Sequence, residues 1–276
     1  MPDISNNIIN NIPKLVFIVP YRARPHEKIH FSIYMKYIME DYKLEDYEIY
    51  YSHQCDERAF NRGAIKNIGF LAVKNKYPND YKNITFIFND IDTVPAKKNA
   101  LNFNTEKGII KHYYGFDFAL GGIFSIKGCD FEMINGFPNL WGWGYEDNEI
   151  NNRALKHKLI INRDNFFKIR DKNIIHLYDD PRRLINNNEM KYSNSKQIYK
   201  DNLENISSLD YNIVNNNEET NNNISNQYII NVTSFTTLKS YNPKDFYARD
   251  LNKYGSNVPT DIHRGRYVES KWKMRF

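Results

Sequence analysis

Two short, almost uninterrupted apolar runs, Leu15-Val16-Phe17-Ile18-Val19 and Ile84-Thr85-Phe86-Ile87-Phe88, each give way abruptly to charged residues. A strand with one face in water alternates apolar and polar side chains, whereas a run that is apolar at successive positions needs cover on both faces. Such strands belong to a parallel sheet held between helices, and the intervening sequence supplies the helices. Between His26 and Tyr42, the residues Ile29, Ile33, Tyr34, Tyr37 and Ile38 follow helical spacing, and Tyr47 to Tyr51 reads as a further strand. Ile65, Ile68, Gly69 and Ala72 then mark one face of a second helix, which opens after Phe60-Asn61-Arg62. This βαβ alternation predicts an α/β fold. In open sheets of that class ligands bind outside the carboxyl ends of the strands, so the residues after the two runs are the first candidates for function.

Arg22 and Arg24 follow the first run, past Pro20 and Tyr21, and their forked guanidinium donors suit a diphosphate. Asn89-Asp90-Ile91-Asp92 follows the second. A spacing of two on an extended chain turns Asp90 and Asp92 to the same side. Like charges held so close call for a cation, and oxygen ligands favour Mn²⁺ or Mg²⁺ over zinc. Arg62 falls in the first turn of its helix, where a positive charge opposes the macrodipole, and so points to an anionic partner. An Asp-x-Asp by itself is a weak signal. Its place at the end of a buried strand, in a chain with paired arginines at another strand end, strengthens it.

The stretch Gly136 to Asn148, GFPNLWGWGYEDN, packs two tryptophans, three glycines and an adjacent acidic pair into one loop. Glycines permit close approach of a ligand to the backbone, and indoles offer flat apolar platforms with a polar N–H. Glu146 and Asp147 open a helix read as Asp147 to Lys158, whose N-terminal field favours ionised carboxylates. A general base would be placed beside a sugar ring in this way, although a tight turn capped by an acidic pair gives the same pattern. Gly121 and Gly122 lead into a strand ending at Ile126, and further strands are expected at Leu159 to Ile161, Ile174 to His176 and Tyr228 to Val232. Residues 182–200 are polar and Asn-rich and read as a mobile lid. The basic tail, Thr236 to Phe276, carries no recognisable role.

Composition narrows the field further. Asparagine supplies about one residue in seven, and its runs at 186–188, 215–217 and 221–223 read as loop filler. Cys55 and Cys129 are the only cysteines, too few for a disulfide framework or a zinc site. The net charge of +5 attracts anions, but no nucleic-acid-binding motif accompanies it. No apolar run approaches the ~20 residues of a membrane span, and Met1 to Pro13 lacks the pattern of a signal peptide. A cytoplasmic protein is therefore expected.

Taken in order, Val19-Pro20-Tyr21-Arg22-Ala23-Arg24, Phe60-Asn61-Arg62, Asn89-Asp90-Ile91-Asp92, Leu120-Gly121-Gly122, Asn135 to Asn139 and Trp141 to Asp147 resemble the β-1,4-galactosyltransferase family of inverting, metal-dependent transferases. The resemblance runs from about Leu15 to Arg183. It implies a GT-A fold: a Rossmann-like, nucleotide-sugar-binding mixed sheet flanked by helices. A polar segment at 1–13 would precede one domain at 14–235, with an extension at 236–276. It also implies Mn²⁺ held by Asp92 and His176, and a general base at Asp147. Pro20, Tyr21, Arg22, Arg24, Phe60, Arg62 and Asp90 would hold the nucleotide. Gly122 and Trp143 would lie along the donor, and Glu146 would orient sugar hydroxyls. The implied partners are a UDP-sugar donor and a glycan or glycoconjugate acceptor. Three positions depart from the family pattern: Asn148 replaces a further acidic residue, Asn173 a methionine, and Tyr178 a histidine of some relatives. Ala119 stands where galactose-using relatives carry a tyrosine, which implies tolerance of N-acetylated donors. Asn148 also supports an alternative, a transferase fold that binds sugar or nucleotide without turnover. The absence of the membrane anchor and cysteine pairs of Golgi members implies a cytosolic or viral-type relative.

Overall fold

The computed structural model describes residues 11–177, 182–186, 188, 200–216 and 226–250. The chain opens as β1 (Leu15–Tyr21), α1 (Pro25–Ile38), β2 (Tyr47–Gln54), α2 (Arg62–Lys76) and β3 (Thr85–Asn89). β2 and β3 lie parallel to β1 on either side of it, with Leu15 opposite both Tyr47 and Thr85. The chain thus leaves β1 toward one neighbour and later returns to the other. That reversal opens a crevice at the carboxyl end of β1.

Burial explains the continuous apolar character of β1. Leu15, Phe17 and Val19 pack with Phe31, Met35 and Ile38 of α1 on one face, while Val16 and Ile18 pack with Ile65, Ile68 and Ala72 of α2 on the other. Helix α2 comes so close that a Cβ on Gly69 would stand 2.6 Å from the Ile18 side chain. Its first turn is capped by Asn61, whose side chain accepts the Ala64 N–H at 2.9 Å. Helix α1 differs from expectation: Ile29 and Ile33 are 58% and 65% exposed, and the stripe through Phe31 and Met35 is buried instead. The two stripes lie about 200° apart on the helix, so periodicity identified a helix and could not choose its inner face.

The chain continues through β4 (Thr93–Pro95), β5 (Ile109–Gly115), β6 (Ile123–Lys127), α3 (Gly128–Met133), α4 (Glu146–Lys156), β7 (Ile160–Asn162), β8 (Phe167–Lys168) and β9 (Ile174–His176). After these come β10 (Arg182–Asn186), β11 (Ser207–Asn215), β12 (Gln227–Thr236) and β13 (Phe246–Asp250). The main sheet runs β11-β12-β2-β1-β3-β6-β5-β7, with β8 also on β5. It is mixed: β6 runs antiparallel to β3 and β5, and β11 antiparallel to β12. Two small ribbons, β4-β9 and β10-β13, stand off it. Residues 182–186, expected in a lid, form a strand, while 187 and 189–199 lie outside the described residues, as do Tyr178 and the tail from 251 onward. No described helix is long and apolar enough to cross a membrane.

Candidate active site

The crevice beyond β1 and β3 is lined by Pro20, Arg22, Arg24, Phe60, Arg62, Asp90, Asp92 and Trp143, joined by Ile91, Gly142, Arg183 and Leu184. Eight of the residues singled out in the sequence therefore share one wall or another of a single cleft. Three guanidinium groups in it are held in place by protein partners. Arg24 Nη1 donates to Asp92 Oδ2 at 2.8 Å, Arg62 Nη2 donates to Asp90 Oδ1 at 2.8 Å, and Arg22 Nη1 donates to the Arg58 carbonyl. Tyr21 sits beside the cleft, its ring 4.7 Å from that of His53. Gly122 lies behind it, its carbonyl accepting the Asp90 N–H at 3.0 Å.

The pair Asp90 and Asp92 is arranged differently from the expected extended strand. β3 ends at Asn89, and a turn follows in which the Thr93 N–H reaches the Asp90 carbonyl at 3.1 Å. Asn89 braces that turn by donating to the Asp90 carbonyl at 2.8 Å. The two carboxylates consequently face different partners, Asp90 toward Arg62 and Asp92 toward Arg24 and His176. Burial alone would raise Asp90, yet the charges of Arg62 and Lys66 outweigh it and bring its pKa down to about 2. Asp92 moves upward, through burial and the neighbouring charge of Asp90.

His176 is delivered by the β4-β9 ribbon, where it pairs with Thr93. Its Nε2 lies 3.9 Å from Asp92 Oδ1, and its Nδ1 is in hydrogen-bond contact with the Tyr114 hydroxyl at 2.8 Å. A ring nitrogen anchored in this way orients the other toward a cation. The carboxylate and imidazole together fit Mn²⁺. Among the described residues no group of three or more His, Cys, Asp or Glu side chains is placed to hold a metal.

The Trp-Gly loop supplies the opposite wall, and its two tryptophans part company. Trp141 is buried, stacked on Phe235 at 5.5 Å, with its indole N–H donating to Thr237 Oγ1 at 3.1 Å. Trp143 lines the cleft, its backbone N–H donating to the Leu184 carbonyl at 2.8 Å. Gly142 has φ 93°, and a Cβ there would stand 3.0 Å from both the Leu184 carbonyl and the Phe246 ring. The β10-β13 ribbon thus closes over the loop, bringing the first part of the extension against it.

Helix α4 begins one residue earlier than expected, directly at Glu146, after Tyr145 takes a left-handed φ of 69°. Glu146 is almost fully buried, and its Oε1 lies 3.4 Å from Arg62 Nε. Asp147 keeps a quarter of its side chain exposed while Oδ1 accepts from Lys66 Nζ at 3.1 Å. A Cβ on Gly121 would come within 2.5 Å of Asp147 Oδ2, so only glycine leaves room for that carboxylate. Burial pushes Asp147 up to about 6, against the pull of Lys66 and with the help of Glu146. Lys66 was missed in the sequence. Its one signal was its position four residues after Arg62, among apolar residues of the buried face.

Comparison with known proteins follows the same outline. A model of the N-terminal region of glycosyl transferase group 7 matches residues 9–103, and one of the N-terminal domain of galactosyltransferase matches residues 107–179. The chain is 34% identical over 175 residues to mouse β-1,4-galactosyltransferase 1, covering 60% of this chain and 43% of the relative. It is 34% identical over 156 residues to human β-1,4-galactosyltransferase 2, covering 53% and 41%. It thus spans less than half the length of these relatives. Among solved structures, the catalytic domain of Drosophila β-1,4-galactosyltransferase 7 in complex with xylobiose superposes with a TM-score of 0.60 at 21% identity, over 80% of this chain and 94% of that one. A mutant of that enzyme in complex with manganese, UDP-Gal and xylobiose gives 0.62 at 22% identity, over the same shares. The fold is GT-A, and by its consecutive matches to the glycosyl transferase group 7 and galactosyltransferase models, which together cover more than half of its length, the chain belongs to the β-1,4-galactosyltransferase family.

Proposed function

We propose that this chain is a metal-dependent transferase that moves galactose or an N-acetylhexosamine from a UDP-sugar to a hydroxyl of a glycan or glycoconjugate, with inversion at the anomeric carbon. The observation that carries the reading is a cleft lined by three arginines, Asp90 and Asp92, with His176 beside Asp92 and with Lys66 linking Asp90 to a carboxylate at a helix start, Asp147, that is anchored yet partly exposed. Arg22, Arg24 and Arg62 suit the diphosphate, with Phe60 and Pro20 against the nucleotide. Asp92 and His176 would hold Mn²⁺, which supplies positive charge for the leaving diphosphate. Asp147 would take the proton of the acceptor hydroxyl, and Glu146, fixed by Arg62, would orient sugar hydroxyls. Trp143 would lie along the donor sugar.

Ala119 bears on the choice of donor. It is buried, with its N–H donating to the Phe116 carbonyl at 3.2 Å, and its methyl group takes far less room than a phenol. A small residue there leaves space for an acetamido group on C2 of the sugar. Asn148 favours a second reading, a chain that binds the donor and does not turn it over. Incubating the protein with Mn²⁺, each of UDP-Gal, UDP-GalNAc and UDP-GlcNAc, and a panel of sugar acceptors decides between them. Donor-dependent glycosylated product supports the transferase, whereas tight donor binding with neither UDP release nor product supports the second reading.

A further inference from the structure

Lysine is almost never fully buried unless it is paired, and Lys66 is only 1% exposed. It lies within the run Gly63 to Phe70 of α2, every residue of which is buried, where a leucine or methionine would pack without the cost of desolvating an ammonium. Its surroundings are specific. Nζ donates to Asp147 Oδ1 at 3.1 Å, approaches Asp90 Oδ1 at 3.7 Å and rests over the Phe137 ring at 4.6 Å from its centroid. The same Asp90 oxygen takes Arg62 Nη2, and Arg62 lines the donor cleft and reaches Glu146. The charged groups facing Asp147 are thus Lys66 and Arg62 from α2, Asp90 from the end of β3, and Glu146 from its own helix.

We propose that Lys66 is a positioning residue for the transfer step: its buried ammonium fixes Asp147 Oδ1, leaves Oδ2 over Gly121 to receive the acceptor proton, and ties that carboxylate to the Asp90-Arg62 pair at the donor end. The inference rests on the reading of Asp147 as the base. The acceptor O–H bond breaks and its proton passes to Oδ2; the oxygen's electron pair forms the new bond to the anomeric carbon of the donor, whose bond to the diphosphate oxygen breaks, and UDP leaves with that electron pair. A carboxylate free to rotate would present either oxygen at varying angles, and loss of a fixed geometry is costly to rate. Because Arg62 shares Asp90 with Lys66, the donor-binding groups and the base are members of one ion-pair chain.

The test compares wild type, Lys66→Met and Lys66→Arg by UDP-Mn²⁺ calorimetry, steady-state transfer, a pH profile and thermal unfolding. Lys66→Met keeps the length and packing and loses the charge. The expected result is nearly unchanged UDP affinity and donor KM, a kcat lower by about tenfold or more, and an acid limb moved to higher pH, because removing a cation makes a carboxylate harder to ionise. Lys66→Arg recovers part of kcat. Wild-type kcat and pH profile in Lys66→Met would overturn the proposal, as would a loss of kcat that tracks a loss of UDP affinity and Tm without recovery in Lys66→Arg. If Lys66→Met does not fold, Lys66→Gln carries the same comparison. A wild type that transfers sugar from no UDP-donor overturns the underlying functional reading, an outcome distinct from any difference among the variants.

Discussion

Two acidic pairs joined through Arg62, Asp90 with Asp92 in the cleft and Glu146 with Asp147 at the start of α4, are alike in sequence as closely spaced carboxylates at the ends of secondary elements, and the fold treats their members unequally. In each pair one carboxylate is held by Arg62: Asp90 at 2.8 Å and Glu146 at 3.4 Å. The other member of each pair moves upward in pKa, Asp92 through burial and the charge of Asp90, and Asp147 to about 6 through burial. The two members bound to Arg62 serve as scaffold, whereas Asp92 and Asp147 each meet a different cation, Arg24 and Lys66. A carboxylate that is buried beside another anion gains most from an incoming cation or proton, as a metal ligand and a general base both require. Arg62, joining one member of each pair, explains why a cation is tolerated in the first turn of α2.

If this division of labour holds, Asp92→Ala has the largest effect: Mn²⁺-dependent UDP binding disappears in calorimetry, because the anionic ligand is gone. His176→Ala weakens the same binding by less, since water replaces a neutral ligand. Equal losses in the two variants would break the assignment of Asp92 as the dominant ligand. Next, Asp147→Asn keeps shape and donor affinity while transfer falls by about 10²-fold or more. A near wild-type rate would move the base to Glu146 and invert the comparison within that pair.

A smaller and graded effect concerns pH. A base works only when ionised, so with saturating donor the rate falls as the pH drops through about 6, the value to which burial raises Asp147, and levels off above it. A rate that stays flat from about pH 5 to 8 contradicts the role of Asp147. The smallest effect is expected at Ala119, outside both pairs. Ala119→Tyr lowers kcat/KM for UDP-GalNAc and UDP-GlcNAc relative to UDP-Gal by crowding C2 of the sugar, with little change in UDP affinity. An unchanged donor ratio would mean that Ala119 does not face that substituent.

Much of the cleft was legible from local pattern. Burial on both faces of β1 and β3 is written in consecutive apolar residues, and the change to Arg22, Arg24, Asp90 and Asp92 marks where those strands leave the core. The same signal failed for β11, an edge strand with mostly exposed side chains, and for β10 and β13, which pair across some sixty residues of chain. Trp141 and Trp143 are two residues apart in one loop, yet one is a buried pillar against Phe235 and the other lines the cleft.

The amino-acid sequence by itself determined the α/β class, the order of the first strands and helices, and which carboxylates and arginines stand at strand and helix ends, because these follow from side-chain periodicity and from local backbone preference. Tertiary structure alone decided which charges meet. The turn after Asn89 sends Asp90 and Asp92 to different partners, Gly121 makes room for Asp147, and Lys66 finds a carboxylate 81 positions away. A buried charge is stabilised by whatever opposite charge the packing brings within a few ångströms, and that distance is set by how helices and strands stack, which no local window of sequence contains.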